Sequence, residues 1–211
     1  DGDDLWMDFG NGDSATVRGQ DGERDQEFNL SASRGPWSFG LAHGDRRNLM
    51  AAAWSMPVEF TPPRIAVVID KSTYTRALIL TSGRFAINIP CRTQADLTFT
   101  VGSTSGRELP DKFDHFGIDT FDGPALHLPL VQGCIAWLEC RLIEEPHAQT
   151  AYDTFFGEVV SAQADARVFD RGRWSFRDDN RELHTLHHLG AGVFGSPLQT
   201  VQATMLPPRL P

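Results

Sequence analysis

Cysteine is scarce in this chain: Cys91, Cys134 and Cys140 are the three among 211 residues. Their odd number and unpaired spacing argue against a disulfide framework and lead us to expect a reducing, cytoplasmic setting. Long apolar runs are also lacking, and none reaches the about 18 residues that a membrane-spanning helix needs. Positive charge is in deficit, with 19 Lys and Arg against 28 Asp and Glu and a net charge of −9. Nucleic-acid binding calls for a basic face, so the charge argues against that class but not against a local basic pocket for one phosphate group. The start, Asp1 to Asp4, is acidic and unlike a signal peptide. No internal repeat, dinucleotide fingerprint or P-loop spacing is present.

What is present suffices for a core: 40% hydrophobic residues, including fourteen Phe and five Trp. Residues 1–33 are rich in Asp, Gly, Ser and Gln and read as an N-terminal arm. Disorder is the plain reading of such a stretch, and docking of Trp6 and Phe9 onto a neighbour is the alternative. From Trp37 the pattern becomes strand-like, over Trp37–Leu41, Asn48–Trp54 and the β-branched run Arg64–Asp70. Ser72–Ser82 has helical spacing, with Tyr74, Ala77, Leu78 and Thr81 on one face and Gly83 suited to end it. A strand over Arg84–Ile89 stops at Pro90. A second short helix over Thr93–Val101 follows, with Thr93 and Asp96 at capping-box spacing and Gly102 at its end. Residues 102–124 read as loop. Gln132–Glu144 and Thr154–Ala166 read as a long antiparallel pair around a turn at Glu145–Ala151. The expected class is therefore mainly β and barrel-like, with short inserted helices, over residues 34–211.

The most informative chemistry lies at Asp70-Lys71-Ser72-Thr73-Tyr74-Thr75-Arg76, where a buried strand passes into a helix. The first N–H groups of a helix lack internal acceptors and carry the positive end of its dipole, which suits an anion. Lys71 and Arg76 add charge, and Ser72, Thr73 and Thr75 add hydroxyls, so a phosphate monoester is the candidate ligand. The competing reading is a plain N-cap at Ser72 beside solvated cations. Gly102-Ser103-Thr104-Ser105-Gly106-Arg107 is a second polar loop whose glycines permit close approach to a ligand. It is also a candidate simple connection.

In this order the motifs resemble the flavin reductase-like, FMN-binding split-barrel family, most closely its flavoredoxin branch. The resemblance rests on Asn48-Leu49-Met50-Ala51-Ala52-Ala53-Trp54 with Pro62-Pro63. It rests also on Lys71–Thr75 with Ser82–Pro90, on Gly102–Arg107 with Asp111-Lys112-Phe113, and on Leu138–Leu142 with Phe156–Val159. It spans about residues 36–166. It implies a six-stranded split β-barrel that forms a homodimer, with one FMN per subunit near the dimer interface. Ala52, Ala53 and Trp54 would run along the isoalloxazine ring, and backbone N–H groups over Met50–Ser55 would meet its polar edge. The phosphate would lie near Ser72, Thr73, Thr75 and Arg76. Asn88 and the Ser103–Arg107 loop would line the site, with Lys112 assisting and Cys91 close by. The implied activity is NAD(P)H-dependent flavin reduction, passing electrons to a partner oxygenase or another acceptor. The alternative is electron transfer with a redox-protein partner and no nicotinamide site.

One departure bears on the donor. Many relatives carry a Gly-Asp-His turn before the strand ending Gly-Glu-Val, whereas here the stretch is Ala151-Tyr152-Asp153-Thr154, without the histidine. His184, His187 and His188 invite a metal reading, since His184 and His188 have i, i+4 spacing. No accompanying Glu or Cys completes a ligand set, and a polar tail segment is the preferred reading. Cys91 is read as a packed residue rather than a redox thiol. Cys134 and Cys140 share one face of a strand. Trp54 is expected beside the flavin and Trp137 in the barrel or the dimer interface.

Overall fold

The computed structural model describes the backbone at residues 17–18, 25–26 and 37–43, and backbone and side chains over 46–197. Trp6, Phe9 and the Pro-rich end lie outside these residues. The strands are β1 (Val17–Arg18), β2 (Asp25–Gln26), β3 (Trp37–His43), β4 (Arg46–Ala52), β5 (Ser55–Glu59), β6 (Arg64–Val68) and β7 (Arg84–Ile89), then β8 (Thr120–Asp122), β9 (Pro129–Val131), β10 (Ala136–Ile143), β11 (Thr154–Ala164), β12 (Phe169–Asp170), β13 (Arg173–Trp174), β14 (His187–Gly190) and β15 (Val193–Gly195). Four helices are inserted: α1 (Tyr74–Ser82), α2 (Ala95–Ser103), α3 (Lys112–His115) and α4 (Pro146–Ala151). No helix among the described residues is long and apolar enough to cross a membrane.

The main sheet runs β4-β3-β7-β10-β11-β6-β5. Its two end strands, β4 and β5, are joined only by Ala53 and Trp54. The sheet must therefore curl to bring those edges near each other, and the Val68 N–H donates to the Trp54 carbonyl, continuing the β5–β6 pairing into the connection. The expected mainly β fold with short inserted helices is thus present. It holds seven longer strands instead of six, because Ser55–Glu59 forms a strand of its own. Pro57 within it lacks an N–H, which an edge position tolerates. Strands β1 and β2 extend the sheet beyond β11, with Val17 opposite Ala162.

Alternation on β7 and β10 divides the interior into two cores. Phe85, Ile87 and Ile89 pack with Ala136, Leu138 and Cys140 in the barrel core, together with Ile65, Val67 and Phe155. Ala86 and Trp137 point the other way, against Leu49, Val101, Phe113 and Leu128. The Trp137 indole N–H donates to the Val131 carbonyl, so its one polar atom is satisfied. A register shift between Glu139 and Cys140 lets β11 change which alternate residues face inward, from Phe155 and Val159 to Ala162 and Ala164. Glu139 is buried, and its carboxylate accepts N–H bonds from Ala125 and Leu126 at 2.8 Å, clamping the loop before β9.

Local readings changed in three places. Helix α1 is capped by Thr73, not Ser72, and its buried face is Thr75, Leu78 and Ile79, while Ala77 and Thr81 are exposed. Gly83 ends it as expected, at φ 65°. The second helix opens with a 3-10 turn over Arg92–Gln94, and Gly102 lies inside its last turn, where a Cβ would stand 3.0 Å from Ala51 Cβ. Glu145–Ala151, read as a turn, contains α4, whose Pro146 suits a first helical position.

Gly157 on β11 offers a direct test of this packing. A Cβ there would lie 2.6 Å from Phe85 Cζ and 3.1 Å from Cys140 Cβ, both fully buried. We expect Gly157→Ala to lower stability by about 1–3 kcal/mol in urea unfolding; an unchanged midpoint would contradict this core arrangement.

Candidate functional site

The site grows from a single buried amide. Asn48 on β4 is 1% exposed, and its Nδ2 donates to Thr75 Oγ1 at 2.7 Å, tying the sheet to the first turn of α1. Gly106 lies directly over it: a Cβ there would stand 2.5 Å from Asn48 Oδ1 and 2.7 Å from Tyr74 Cδ1. The strand, the opening of α1 and the Ser103–Arg107 loop therefore converge on one place. Asn48 Oδ1 is buried with no partner. An orphaned buried acceptor costs about 1–3 kcal/mol, which marks the floor of the site as waiting for a donor.

Each wall has a local cause. Thr73 Oγ1 caps α1 by accepting from the Arg76 N–H, which leaves Tyr74 and Thr75 in the turn where backbone N–H groups have no intrahelical acceptor. Ser105 and Arg107 are exposed on the loop, and Arg107 enters no ion pair among the described residues. Gly102 brings the end of α2 against Ala51, beside exposed Ser103. Along the strand, Met50 and Ala51 are half-buried and Ala52 is buried. Ala53 is exposed, and Trp54 is 73% exposed at the turn into β5. Ser55 Oγ follows as a second buried polar atom without a partner.

Several residues expected at the ligand are occupied elsewhere. The Arg76 guanidinium donates to the Ile69 carbonyl at 3.0 Å, to Asp153 Oδ1 at 2.7 Å and to the Gln149 carbonyl. It also lies 5.0 Å from the Phe155 ring centroid, so it pins α1 to α4 and β11 instead of facing a phosphate. Ser72 spends both its N–H and its hydroxyl on Asp70 Oδ1, and these bonds hold the Asp70 carboxyl below its ordinary range. Lys71 is 60% exposed, with Nζ 3.7 Å from Asp153, and remains available at the rim. Asn88 is wholly buried and accepts the Val131 N–H at 2.8 Å, anchoring β9. Cys91 is wholly buried, its Sγ 3.1 Å from Thr93 Oγ1, and packs in the barrel core.

Lys112 is also a strut. It is 1% exposed and donates from Nζ to the Leu49 and Val101 carbonyls, each at 2.8 Å. It thereby braces the strand against the helix end that leads into the Ser103–Arg107 loop. Burial pushes its pKa down to about 8.

The histidines do not gather. His184 ends a 3-10 turn and contacts the Arg177 and Pro197 carbonyls, whereas His188 sits on β14, so the helical spacing is not realised. No group of three or more His, Cys, Asp or Glu suited to a metal occurs among the described residues. In the turn that departs from the expected histidine, Asp153 holds φ 53° and receives Arg76. Sequence reasoning missed this Arg76–Asp153 pair, and no local signal announces a partner 77 positions away.

Residues 36–184 match the family described as the flavin reductase like domain. The chain is 61% identical over 150 residues to the YddH protein of Escherichia coli K12, a match covering 71% of this chain and 78% of that protein. Among solved structures it is similar to the FMN-binding domain of a flavin reductases-like enzyme from Shewanella baltica. That similarity has 37% identity and a TM-score of 0.78, over 81% of this chain and 90% of the other. It is also similar to the flavoredoxin of Desulfovibrio vulgaris Miyazaki F, with 26% identity and a TM-score of 0.67, over 82% of this chain and 94% of the other.

The buried lysine yields a pH test. Its folded pKa of about 8 lies below the ordinary 10.5, so the folded chain binds fewer protons than the unfolded chain between those values. The cost of burying the charge is present in full below about pH 8 and is relieved as pH rises towards 10.5. Urea titrations should show wild type gaining stability relative to Lys112→Met between these pH values; a difference that stays flat or falls would refute the assignment.

Proposed function

The chain belongs to the flavin reductase-like family, and from that premise we propose that it is an FMN-binding oxidoreductase taking hydride from NADH or NADPH. The observation that carries the reading is the convergence at Asn48: a capped helix start, a closely approaching Gly106 and an unpaired buried oxygen in one place. These features fit FMN. The N–H groups of Tyr74 and Thr75, with Thr73, Ser103, Ser105, Arg107 and Lys71, would receive the phosphate. Asn48 Oδ1 would accept a ribityl hydroxyl, which removes the cost of leaving it unpaired. The Met50–Ser55 segment would present backbone donors to the ring edge, and Trp54 would lie beside it.

Bound FMN supplies the hydride acceptor at N5. The protein's part is orientation and charge. Backbone donors beside the pyrimidine end of the ring favour the reduced, anionic form and so raise its potential. Hydride transfer needs no side-chain acid or base, consistent with a site built from amides, hydroxyls and cations. Reduced flavin would then pass electrons to an acceptor, with a partner oxygenase one class.

A homodimer is part of the reading. Trp54, Met56, Val58 and Phe60 are exposed in succession around edge strand β5. Such an apolar strip beside the ring-binding segment suits a second copy of the chain. The three free, buried thiols support a reducing, cytoplasmic setting.

One observation favours a second reading, electron transfer without a nicotinamide site. The turn Ala151–Thr154 lacks the expected histidine, and its Asp153 is committed to Arg76. Stopped-flow mixing separates the two. Rapid loss of flavin absorbance on adding NADH or NADPH is expected; slow loss with both, alongside prompt reduction by dithionite, would leave the electron-transfer reading standing.

The seat itself is tested by Gly106→Val. The added side chain must push the loop from Asn48, so FMN affinity in a fluorescence titration should fall by roughly tenfold or more. Unchanged affinity would remove this loop from the site.

A further inference from the structure

Arg76 belongs to the first turn of α1, but its guanidinium leaves the helix for three other parts of the chain. Nη1 donates to the Ile69 carbonyl at 3.0 Å and to Asp153 Oδ1 at 2.7 Å, and Nη2 donates to the Gln149 carbonyl. Ile69 follows β6, Gln149 lies in α4 and Asp153 precedes β11. The bridge is closed from the other side, since the Ile69 N–H donates to the Asp153 carbonyl at 2.8 Å. The Arg76 side chain is 14% exposed and lies against the wholly buried Phe155 ring. A planar fork with several fixed acceptors is held in one place, as a single ion pair is not.

The backbone of the same residue is part of the helix opening. Its N–H donates to Thr73 Oγ1 at 3.4 Å. Thr73 is tied in turn to the Asp70 carbonyl, by its N–H at 3.1 Å and its hydroxyl at 2.8 Å. The Ser72 N–H goes to Asp70 Oδ1 at 2.7 Å. Ser72, Thr73 and Arg76 thus spend their N–H groups inside the chain, while Tyr74 and Thr75 keep theirs at the helix end, where no intrahelical acceptor exists. Arg76 grips the opening by its backbone and the barrel by its side chain. Where the Tyr74 and Thr75 N–H groups sit is set by this grip on one side and by the Asn48–Thr75 bond on the other.

Asp153 divides the two cations beside this opening. It holds φ 53°, a left-handed conformation that Asp enters more readily than most residues, and its carboxylate faces both Arg76 and Lys71. The Arg76 contact is close and largely shielded from water, whereas Lys71 is 60% exposed with Nζ at 3.7 Å. Arg76 is therefore a fixed strut, and Lys71 is the cation at liberty to meet a ligand. The positive end of a helix acts within a single turn, so a small shift of the opening would lose a phosphate while contacts along Met50–Ser55 remain. We propose that Arg76 is a positioning residue: anchored through Asp153, Ile69 and Gln149, it holds the start of α1 where the Tyr74 and Thr75 N–H groups meet the flavin phosphate, and so sets the preference for FMN over riboflavin. This rests on the flavin reading above.

Fluorescence titrations of the full chain, freed of flavin, with FMN and with riboflavin test this. Wild type should bind FMN more tightly, since only FMN carries the phosphate. A wild type that binds neither would overturn the flavin reading and this proposal together, whereas the variants bear on this proposal alone. Arg76→Met should lose roughly tenfold in FMN affinity and keep its riboflavin affinity within about twofold. Arg76→Lys keeps the charge but cannot reach all three acceptors, so it should show the same selective loss. Retained riboflavin binding reports an intact ring site, and if Arg76→Met fails to fold, Arg76→Lys carries the test. Equal loss of both flavins in a variant with a wild-type circular dichroism spectrum would make Arg76 a brace of the fold and no more. Unchanged FMN affinity in Arg76→Met, or Arg76→Lys matching wild type, would show that its position is not what counts; each of these results would overturn the proposal.

Discussion

A buried amide that must find partners organises this molecule. Asn48 sits at 1% exposure on a strand that also carries core residues, so neither of its polar atoms can turn to water. One is met by Thr75, which fixes where α1 begins relative to the sheet. The other lies beneath Gly106 and is left open. The same residue thus sets the geometry of two loops and leaves the space between them chemically unfinished. A hydrocarbon at this position would fill the core but would not hold the helix start in place.

Around this point the chain uses polar groups as beams. Lys112 braces β4 to the end of α2, Glu139 clamps the loop before β9, Asn88 anchors β9, and Arg76 with Asp153 locks α1 to the β11 side. Each crosses a junction between a helix or loop and the sheet, where backbone groups would otherwise be buried without partners. Each is also a residue type that a sequence reader assigns to chemistry. The cost of desolvating an ion is reduced here by several carbonyl, carboxylate or N–H partners at once, but not removed, since burial still holds the Lys112 pKa below its ordinary value. This explains why a chain with few lysines near its flavin seat can still commit one of them to the interior.

The place that remains open after these commitments is the one proposed for flavin: the start of α1, the Ser103–Arg107 loop and Lys71 at the rim offer backbone N–H groups, hydroxyls and cations, with an apolar strip alongside. It rests on a rigid floor at Asn48.

Local pattern determined a good deal. The strand over Arg84–Ile89, the αL residue at Gly83 and the long pair that became β10 and β11 follow from alternation and glycine chemistry, which act between near neighbours. The order of the motifs was sufficient to place the chain in its family, and Asn48, Gly106 and Thr75 stood among the expected site residues. What near neighbours could not decide was where the charged side chains go. Arg76 next to a helix start looks like a phosphate ligand until Asp153, far along the chain, is brought against it. Lys112 looks like a group that assists the cofactor until α3 packs over β4 and its ammonium is spent on two carbonyls. Serine at position 72 looks like the cap until Asp70 claims it and Thr73 takes the role. Secondary structure is set by short-range sterics and hydrogen bonding, which a sequence displays directly. The partner of a long, flexible, charged side chain is chosen by which distant segments the closed barrel brings within reach, and that only the tertiary structure decides.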